Sequence, residues 1–170
     1  MKKFLILVII ISLTAFIGCS KTKQQGSAPE PPPEQPDTAH LTAEDNGLAL
    51  SISREIRSLS GMNISGKDGY EVVSIQVAVD NNTKDNVPIS PEFVTLKMTD
   101  GTEYKYSPEL TQTITSKAAF KEVTLPPDYR GGGLLIFELK KGTIPDSLIY
   151  ADNKSHEIPV KFPTEMKISI

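Results

Sequence analysis

The feature that most constrains the fold of this chain is a period-two alternation of apolar and polar residues after residue 47. The alternation occupies residues 48–52, 73–79, 94–98 and 158–162. Side chains of a β-strand point alternately to opposite faces, so a period of two indicates strands with one buried face. An amphipathic helix would instead repeat every 3.6 residues. The pattern therefore predicts a chain built mainly from β-strands.

Turn signals separate these candidate strands. Residues 80–86 form a polar cluster, and Asp100-Gly101 suits a tight hairpin because glycine accepts positive φ without a Cβ clash. Residues 134–139 are almost continuously apolar, which is typical of a central strand. Residues 54–59 and 108–119 could each hold a helical turn, although neither shows a sustained amphipathic pattern.

Short strands and frequent turns favour two packed antiparallel sheets, because each sheet must bury one face. We predict an all-β sandwich of about seven to nine strands over residues 41–170. A small barrel is the alternative. The chain has one cysteine and no tryptophan, so it lacks the core of an antibody-type domain.

The first residues have the anatomy of an export signal. Lys2 and Lys3 precede about fourteen mostly apolar residues, which end at Gly18 and Cys19. The apolar run is shorter than the roughly twenty residues of a membrane-spanning helix, and polar sequence follows it. We predict a cleaved signal peptide over residues 1–18, with an uncleaved anchor helix as the alternative.

Cys19 is the only cysteine of the chain, and it follows the apolar run directly. The sequence Phe16-Ile17-Gly18-Cys19 resembles the lipobox of bacterial lipoproteins. That resemblance implies a diacylglycerol on the Cys19 thiol, cleavage before Cys19 and acylation of the new amino group. Two or three acyl chains would anchor the mature protein in a membrane outside the cytoplasm. In lipoproteins of cells with two membranes, the residue after the lipidated cysteine influences sorting. Ser20 resembles a residue that permits sorting to the periplasmic face of the outer membrane.

Residues 19–40 are predicted to be the lipidated cysteine and a disordered linker. They contain five prolines between Pro29 and Pro36, which favour an extended polyproline II chain. A Pro-rich ligand for a partner domain is the alternative. Without Lys2 and Lys3, sixteen basic residues stand against twenty-one acidic ones, which argues against nucleic-acid binding.

A second resemblance covers most of residues 47–162. The segments 70–82, 93–96, 100–104 and 133–139 resemble a widespread bacterial domain of unknown function with a telokin-like, immunoglobulin-like sandwich. The resemblance implies a secreted or lipid-anchored protein. It implies no shared catalytic residues.

The residue types of a catalytic or metal site are scarce. His40 lies in the predicted linker. His156 is two residues before Ile158, so both side chains point to the inward face of the last predicted strand, where we expect a hydrogen-bonded structural histidine. Two histidines so placed do not make the three or four ligands of a zinc site. Asp80, Asn82 and Asp85 could ligate calcium weakly, but the EF-hand spacing is absent and a solvated turn is the simpler interpretation.

Two other features have structural interpretations. Gly131-Gly132-Gly133 is followed by a strand rather than by the helix of a phosphate-binding loop, so we expect a bulge or a sharp bend. Four tyrosines could expose a binding patch, although strand tyrosines usually pack half-buried against their neighbours. These are Tyr104, Tyr106, Tyr129 and Tyr150.

The sequence thus predicts a non-enzymatic envelope protein that acts through protein contact or in envelope structure, with no cofactor and no metal. The membrane, through Cys19, and an envelope protein are the expected partners. The expected contact regions are the turn at residues 80–86 and a loop at residues 129–133. Their candidate residues are Asp80, Asn82, Asp85, Tyr129 and Arg130. An accessory domain for a small ligand or a metal is the alternative, and a hydrolase using His156 comes third.

Overall fold

The structure is a computed structural model, and it describes residues 39–62, 64, 66–152, 155–164, 166 and 168. The predicted signal peptide, Cys19 and residues 19–38 of the predicted linker lie outside the described residues. Within the described ranges the chain forms eleven strands and one α-helix. In chain order they are β1 (His40–Asp45), β2 (Leu48–Ser53), β3 (Arg57–Ser58), β4 (Tyr70–Asn81), β5 (Val87–Ile89), β6 (Val94–Met98), β7 (Glu103–Tyr104), α1 (Pro108–Thr115), β8 (Val123–Leu125), β9 (Tyr129–Lys140), β10 (Pro145–Ala151) and β11 (Glu157–Lys161).

The first sheet is built around β4. Its whole length pairs antiparallel with β9, from Tyr70 opposite Lys140 to Asn81 opposite Tyr129. The other edge of β4 pairs with β2 and with β3, and β1 extends the sheet beyond β2. The β1–β2 hairpin turns at Asn46 and Gly47, whose φ angles are 49° and 80°. Both positive angles fit a tight primed turn.

The second sheet has the strand order β11-β10-β6-β7, and β5 pairs with β8 in a small third sheet. The apolar residues of both large sheets form one continuous core. It contains odd-numbered residues of β4 and β9 and even-numbered residues of β2, β6, β10 and β11. Phe137 and Tyr150, one from each large sheet, are fully buried in it. One shared core between two antiparallel sheets confirms the predicted all-β sandwich class.

The predicted strands all appear, including β8 and β10, which the short apolar runs at residues 123–125 and 148–150 also indicate, and three further strands join them. These are β1, β3 and β5. Residues 54–59 contain β3 rather than a helical turn, because Arg57 and Ser58 pair with Ser74 and Val73 of β4. His40, expected in the linker, is the first residue of β1.

The helix α1 covers the side of β9 that no strand occupies. Ser107 caps α1, and its amide donates to the Ile136 carbonyl at 2.7 Å. The Thr111 hydroxyl accepts from the Ile136 amide at 3.0 Å. After α1, the Leu134 amide donates to the Ala118 carbonyl at 2.7 Å. The prediction of a central strand is therefore wrong, because β9 pairs with a strand on one edge only. Backbone groups on its other edge form hydrogen bonds with the segment around α1. Of the described helices, none is long and apolar enough to cross a bilayer.

The three consecutive glycines lie inside β9, where pairing with β4 continues without a register shift. The expected bulge or bend is therefore wrong. A Cβ on Gly132 would collide with the Val77 carbonyl oxygen, and one on Gly133 would lie 2.5 Å from the Ala118 carbonyl oxygen. These glycines permit close approach of two other backbone segments to β9.

Candidate functional site

The structure brings together the two segments expected to make contacts. Because β4 and β9 run antiparallel, Asp80 lies opposite Arg130 at the end of the sheet. Arg130 Nη1 is 3.6 Å from Asp80 Oδ2. We use the name loop-end surface for the candidate residues Asp80, Asn82, Asp85, Tyr129 and Arg130.

Only part of this surface is a loop. Asn82 and Asp85 lie in the turn between β4 and β5, whereas Asp80 belongs to β4. Tyr129 and Arg130 are the first two residues of β9, so the loop expected at residues 129–133 is wrong. The continuous pairing with β4 explains the difference, since the glycines let both strands run to the end of the sheet.

Asn81 organises the turn beneath the loop-end surface. Its side chain is fully buried, and its Nδ2 donates to the carbonyls of Asp85 and Leu125 at 2.8 and 3.0 Å. Its Oδ1 accepts from the Thr83 amide at 3.0 Å and from the Thr83 hydroxyl at 2.7 Å. The Asn81 carbonyl accepts from the Asp128 amide at 2.7 Å. One side chain therefore connects the turn after β4 to the end of β8.

Two other turns lie at the same end of the sandwich. The Asn82 amide donates to the Gly47 carbonyl at 2.8 Å, which links the turn after β4 to the β1–β2 hairpin. Asn46 Nδ2 donates to the Ser155 carbonyl at 3.4 Å, which reaches the turn between β10 and β11. These bonds hold the loop-end surface on a connected set of turns.

Tyr129 and Arg130 give this surface its chemical character. The Tyr129 residue is 61% exposed, whereas Tyr150 is buried and Tyr104 and Tyr106 are partly buried. The Arg130 side chain is 55% exposed, so its ion pair with Asp80 contributes little to stability. Tyr129 and Arg130 are consecutive residues of β9, so their exposed side chains point to opposite faces at this end of the sheet. Tyrosine and arginine are both enriched at protein contacts.

His156 has the structural environment expected for it. Its Nδ1 is 2.7 Å from Asp152 Oδ2, and its amide donates to Asp152 Oδ1 at 3.1 Å. Ser155 Oγ is 3.2 Å from the same Nδ1. A nucleophilic triad needs the hydroxyl on one ring nitrogen and the carboxylate on the other. Here the Ser155 hydroxyl and the Asp152 carboxylate both contact His156 Nδ1. The three side chains therefore stabilise the turn between β10 and β11 and do not have the geometry of a triad.

The carboxylates of the described part of the chain do not converge on a cation-binding geometry. Among the described residues, no group of three or more His, Cys, Asp or Glu side chains is placed to hold a metal ion. Asp80 of the candidate calcium turn lies against Arg130. The turn is ordered instead by the neutral amide side chain of Asn81, which forms hydrogen bonds with Asp85 and Thr83.

The clear pKa shifts come from packing elsewhere in the domain. Partial burial and the Glu92 carboxylate, which accepts from the Tyr106 hydroxyl at 2.8 Å, raise the pKa of Tyr106 to about 12. Burial and the charge of Asp152 raise the pKa of Tyr150, whose ring meets Phe93 edge to face at 5.7 Å. The Thr102 amide lowers the pKa of the exposed Asp100 carboxyl. Each shift has a local structural cause, and none lies on the loop-end surface.

A second surface of interest is a groove on the outer face of the first sheet. It has a volume of about 740 Å³ and lies between α1 and the segment joining β2 to β3. Leu59, Ile114, Leu134 and Ile136 give it an apolar lining. We call it the outer groove.

A family model described as "Domain of unknown function (DUF4352)" matches residues 41–158, which is more than half of the chain. The chain belongs to the DUF4352 family. This match confirms the predicted resemblance to a domain of unknown function. No curated protein sequence matches the chain.

Solved structures share the fold of this DUF4352 domain. The Bacillus subtilis ycdA protein, described as a "putative lipoprotein", matches with a TM-score of 0.55 and 22% identity over 72% of this chain. The match spans only 37% of ycdA. A functionally unknown protein from Listeria monocytogenes EGD-e gives a TM-score of 0.51 at 12% identity, covering 74% of this chain and 82% of that protein. The Bacillus subtilis yjhA protein gives 0.50 at 14%, covering 72% of this chain and 96% of that protein. At these identities the likeness shows a common fold.

Sequence reasoning missed two features of this DUF4352 domain. Asn81 looked like one polar residue among several in the turn cluster, and only its zero exposure reveals its role. The outer groove is assembled from β2, β4, α1 and β9, so no contiguous motif could indicate it.

Proposed function

We propose that this protein is a lipid-anchored, non-enzymatic binding module of the bacterial cell envelope. Its domain contacts a protein partner through the loop-end surface. The observation that carries the proposal is the exposed Tyr129–Arg130 pair, held by β4 and by the buried Asn81. Recognition residues commonly lie at the ends of a rigid sandwich, where they vary without disturbing the core.

The anchor rests on Cys19 and its sequence context. The apolar run before Cys19 and the resemblance of residues 16–19 to a lipobox support lipidation. The ycdA protein, which has the same fold and is described as a "putative lipoprotein", supports the same location. Acyl chains on Cys19 would display the domain outside the cytoplasm, on the periplasmic face of the outer membrane where the cell has one.

Replacement of Cys19 tests the anchor. In the Cys19→Ala variant the acceptor thiol is gone, so we expect no incorporation of labelled fatty acid and no cleavage to the mature form. Metabolic labelling and the mass of the protein measure both effects. A Ser20→Ala variant, one residue away, keeps the thiol and serves as the control. Labelling of Cys19→Ala equal to that of the natural protein would refute lipidation at this residue.

Cross-linking in native membranes tests the loop-end surface. We expect the Tyr129→Ala, Arg130→Ala double variant to weaken capture of the partner by about thirtyfold, since loss of a central aromatic contact costs about 2 kcal/mol. The matched control is Tyr70→Ala, Lys140→Ala, which removes a tyrosine and a cation from the opposite end of the same strand pair. Equal capture by both double variants would exclude the loop-end surface as the contact site.

Binding of a small ligand is the second candidate function, and the outer groove favours it. A volume of about 740 Å³ lies within the usual range of ligand pockets. A ligand that binds only the folded state raises the melting temperature by mass action. A thermal-shift screen with envelope metabolites would separate the two candidates, because Leu134→Gln should abolish a ligand shift and leave partner capture unchanged.

A further inference from the structure

We propose that the outer groove binds a fatty acid, a ligand with a single alkyl chain and a carboxylate head. The inference names the ligand class of the second candidate function and rests on that function, whereas the partner proposed for the loop-end surface is independent of it. Three observations support this ligand: an apolar patch on the outer face of the first sheet, two walls that leave part of the patch open, and two exposed arginines at the rim.

The floor of the outer groove lies on the face of the first sheet that points away from the sandwich core. Gln76 and Ser74 of β4 pair with Leu134 and Ile136 of β9, and all four residues line the groove. The core takes the odd-numbered residues of these strands, so the even-numbered ones point outward. An outward face is usually polar, and the β4 residues fit this rule. The β9 residues are apolar, and an apolar patch on an outer face needs a cover.

A second apolar cluster covers only part of this floor. It lies outside the main core and joins the segment after β3, β4, β9 and α1. Its buried residues are Leu59, Val72 and Ile136, and the residues packed against them are Ile64, Leu110 and Ile114. Leu134 and Ile114 line the groove and are only partly buried. The outer groove is therefore the uncovered side of a small apolar core.

Two walls make this opening a groove rather than a flat patch. On one side, α1 is held to β9 by the Thr111 hydroxyl, which accepts from the Ile136 amide at 3.0 Å. On the other side, the chain leaves β4 between β2 and β3. There the Ser53 hydroxyl accepts from the Gln76 amide at 3.2 Å and donates to the Glu55 carbonyl at 2.8 Å. Hydrogen bonds to the floor strands thus fix both walls, and the volume of about 740 Å³ between them suits one small ligand.

The rim supplies the charge for the head group. Arg54 and Arg57 line the groove and are exposed, and neither forms an ion pair with another described residue. A guanidinium can bind a carboxylate through two parallel hydrogen bonds. Glu55 is the acidic residue of the lining, so two arginines against one glutamate leave the rim singly positive. That charge matches a carboxylate better than it matches the dianion of a phosphate monoester.

The floor and the rim fix the orientation of the ligand. The alkyl chain lies on Leu134 and Ile136, and the carboxylate lies at the two arginines of the rim. Because these arginines are exposed, the head keeps its contact with water and avoids the cost of burying a charge. Met62, a groove residue that is 68% exposed, gains cover from the chain. Its flexible side chain adapts to chains of different lengths.

Calorimetric titration of the full chain with decanoate tests the ligand class, at concentrations below those at which decanoate forms micelles. We expect octanoate to bind about tenfold more weakly, because it buries two methylenes fewer. At low salt, 1-decanol should also bind about tenfold more weakly, because it has the same chain without the charge. Decyl phosphate should bind no more tightly than decanoate, since its second charge has no partner at the rim.

Variants of the rim and the floor test the site. Arg54→Gln, Arg57→Gln should weaken decanoate about tenfold and leave 1-decanol unchanged, because only the charged head contacts the arginines. The matched control, Lys84→Gln, Lys121→Gln, removes two exposed cations outside the lining and should change neither ligand. Gln76→Trp places a bulky ring over the floor from an exposed position and should abolish binding of both ligands. Circular dichroism verifies that each variant is folded.

The possible contrary results separate this proposal from the functions on which it rests. Equal binding of decanoate and 1-decanol, or full retention of decanoate by Arg54→Gln, Arg57→Gln, would refute the carboxylate head. Tighter binding of decyl phosphate would overturn it in favour of a phosphate head. Absence of decanoate binding would refute the ligand class, while another metabolite whose thermal shift is lost in Leu134→Gln would preserve small-ligand binding. Partner capture through the loop-end surface is measured separately and is unaffected by each of these results.

Discussion

Gly133→Ala is expected to lower the free energy of unfolding by about 3 kcal/mol or more, a large part of the stability of a domain this size. A Cβ at this position would lie 2.5 Å from both the carbonyl oxygen of Ala118 and the carbonyl carbon of Ala119. These are backbone atoms, which cannot move aside by changing a rotamer. The methyl group must therefore push the chain after α1 away from β9.

That displacement removes specific hydrogen bonds. The Leu134 amide donates to the Ala118 carbonyl at 2.7 Å, and the Phe120 amide donates to the Leu134 carbonyl at 3.0 Å. Both bonds are made by Leu134, the residue after Gly133, at the edge of β9 that does not pair with β4. Their loss would leave backbone groups unpaired beside Phe120, a residue of the core. We therefore expect faster hydrogen exchange at Leu134 and Phe120 as well as a lower midpoint of urea unfolding.

Gly61→Ala is the matched control for this prediction. Gly61 lies in a short 3₁₀ turn, and no atom approaches within 4 Å of a Cβ placed there. The substitution should leave the free energy of unfolding within about 0.5 kcal/mol of the natural protein. If Gly133→Ala were as stable as Gly61→Ala, the close packing of residues 118–120 against β9 would be wrong.

The glycines also illustrate what the sequence could predict. Alternation identified β4, which buries one face in the sandwich core, and an almost continuous apolar run identified residues 134–139 of β9. The role of Gly132 and Gly133 depends on Val77 and on residues 118–120, which are distant in sequence. A local pattern can show that glycine is present, but not which backbone it must accommodate.

Two elements had weak local signals: β1, which was not predicted, and α1, which was predicted only as a possible helical turn within residues 108–119. Asn46-Gly47 is a favoured hairpin dipeptide and pointed to β1, whose own residues are only half-buried and do not alternate cleanly. Ser107-Pro108 is a helix start, with the Ser107 hydroxyl accepting from the Leu110 amide at 3.4 Å. α1 has only eight residues, which is too short for its apolar spacing to stand out.

In the candidate site, too, local sequence predicts some features, while others depend on residues that are distant in the chain. Composition and turn signals selected the two candidate segments, because loops at the end of a sandwich are polar and contain turn residues. That Asp80 and Arg130 face each other follows from the β4–β9 register, which pairs residues fifty positions apart. Register depends on packing across the whole sheet, so the sequence alone left these two segments unconnected.

Asn81→Ala is expected to lower the free energy of unfolding by about 2–3 kcal/mol and to loosen the loop-end surface. The substitution removes two donated and two accepted hydrogen bonds from a fully buried side chain. The Leu125 carbonyl would be left buried without this donor. Urea unfolding measures the loss, and hydrogen exchange at the Thr83 amide reports the loosened turn.

Asn82→Ala provides the control one residue away. The Asn82 side chain is exposed, and its amide bond to the Gly47 carbonyl would survive the change. We expect an effect within about 0.5 kcal/mol. Asn81→Asp sharpens the test, because it places an acceptor against the carbonyls of Asp85 and Leu125 while keeping the shape of the side chain. It should destabilise at least as strongly as Asn81→Ala at neutral pH, since a buried carboxylate loses its hydration.

The pH dependence of Asn81→Asp distinguishes a lost donor from lost packing. Burial and the facing carbonyls would raise the pKa of the introduced carboxyl above its unfolded value. The folded state would then bind its proton more tightly, so stability is recovered as the pH falls and lost as the pH rises through the folded pKa. Asn81→Ala should show no such recovery relative to the natural protein. If both variants followed the same pH profile, the donor role of Asn81 would be refuted, and with it the account of how the loop-end surface is held in place.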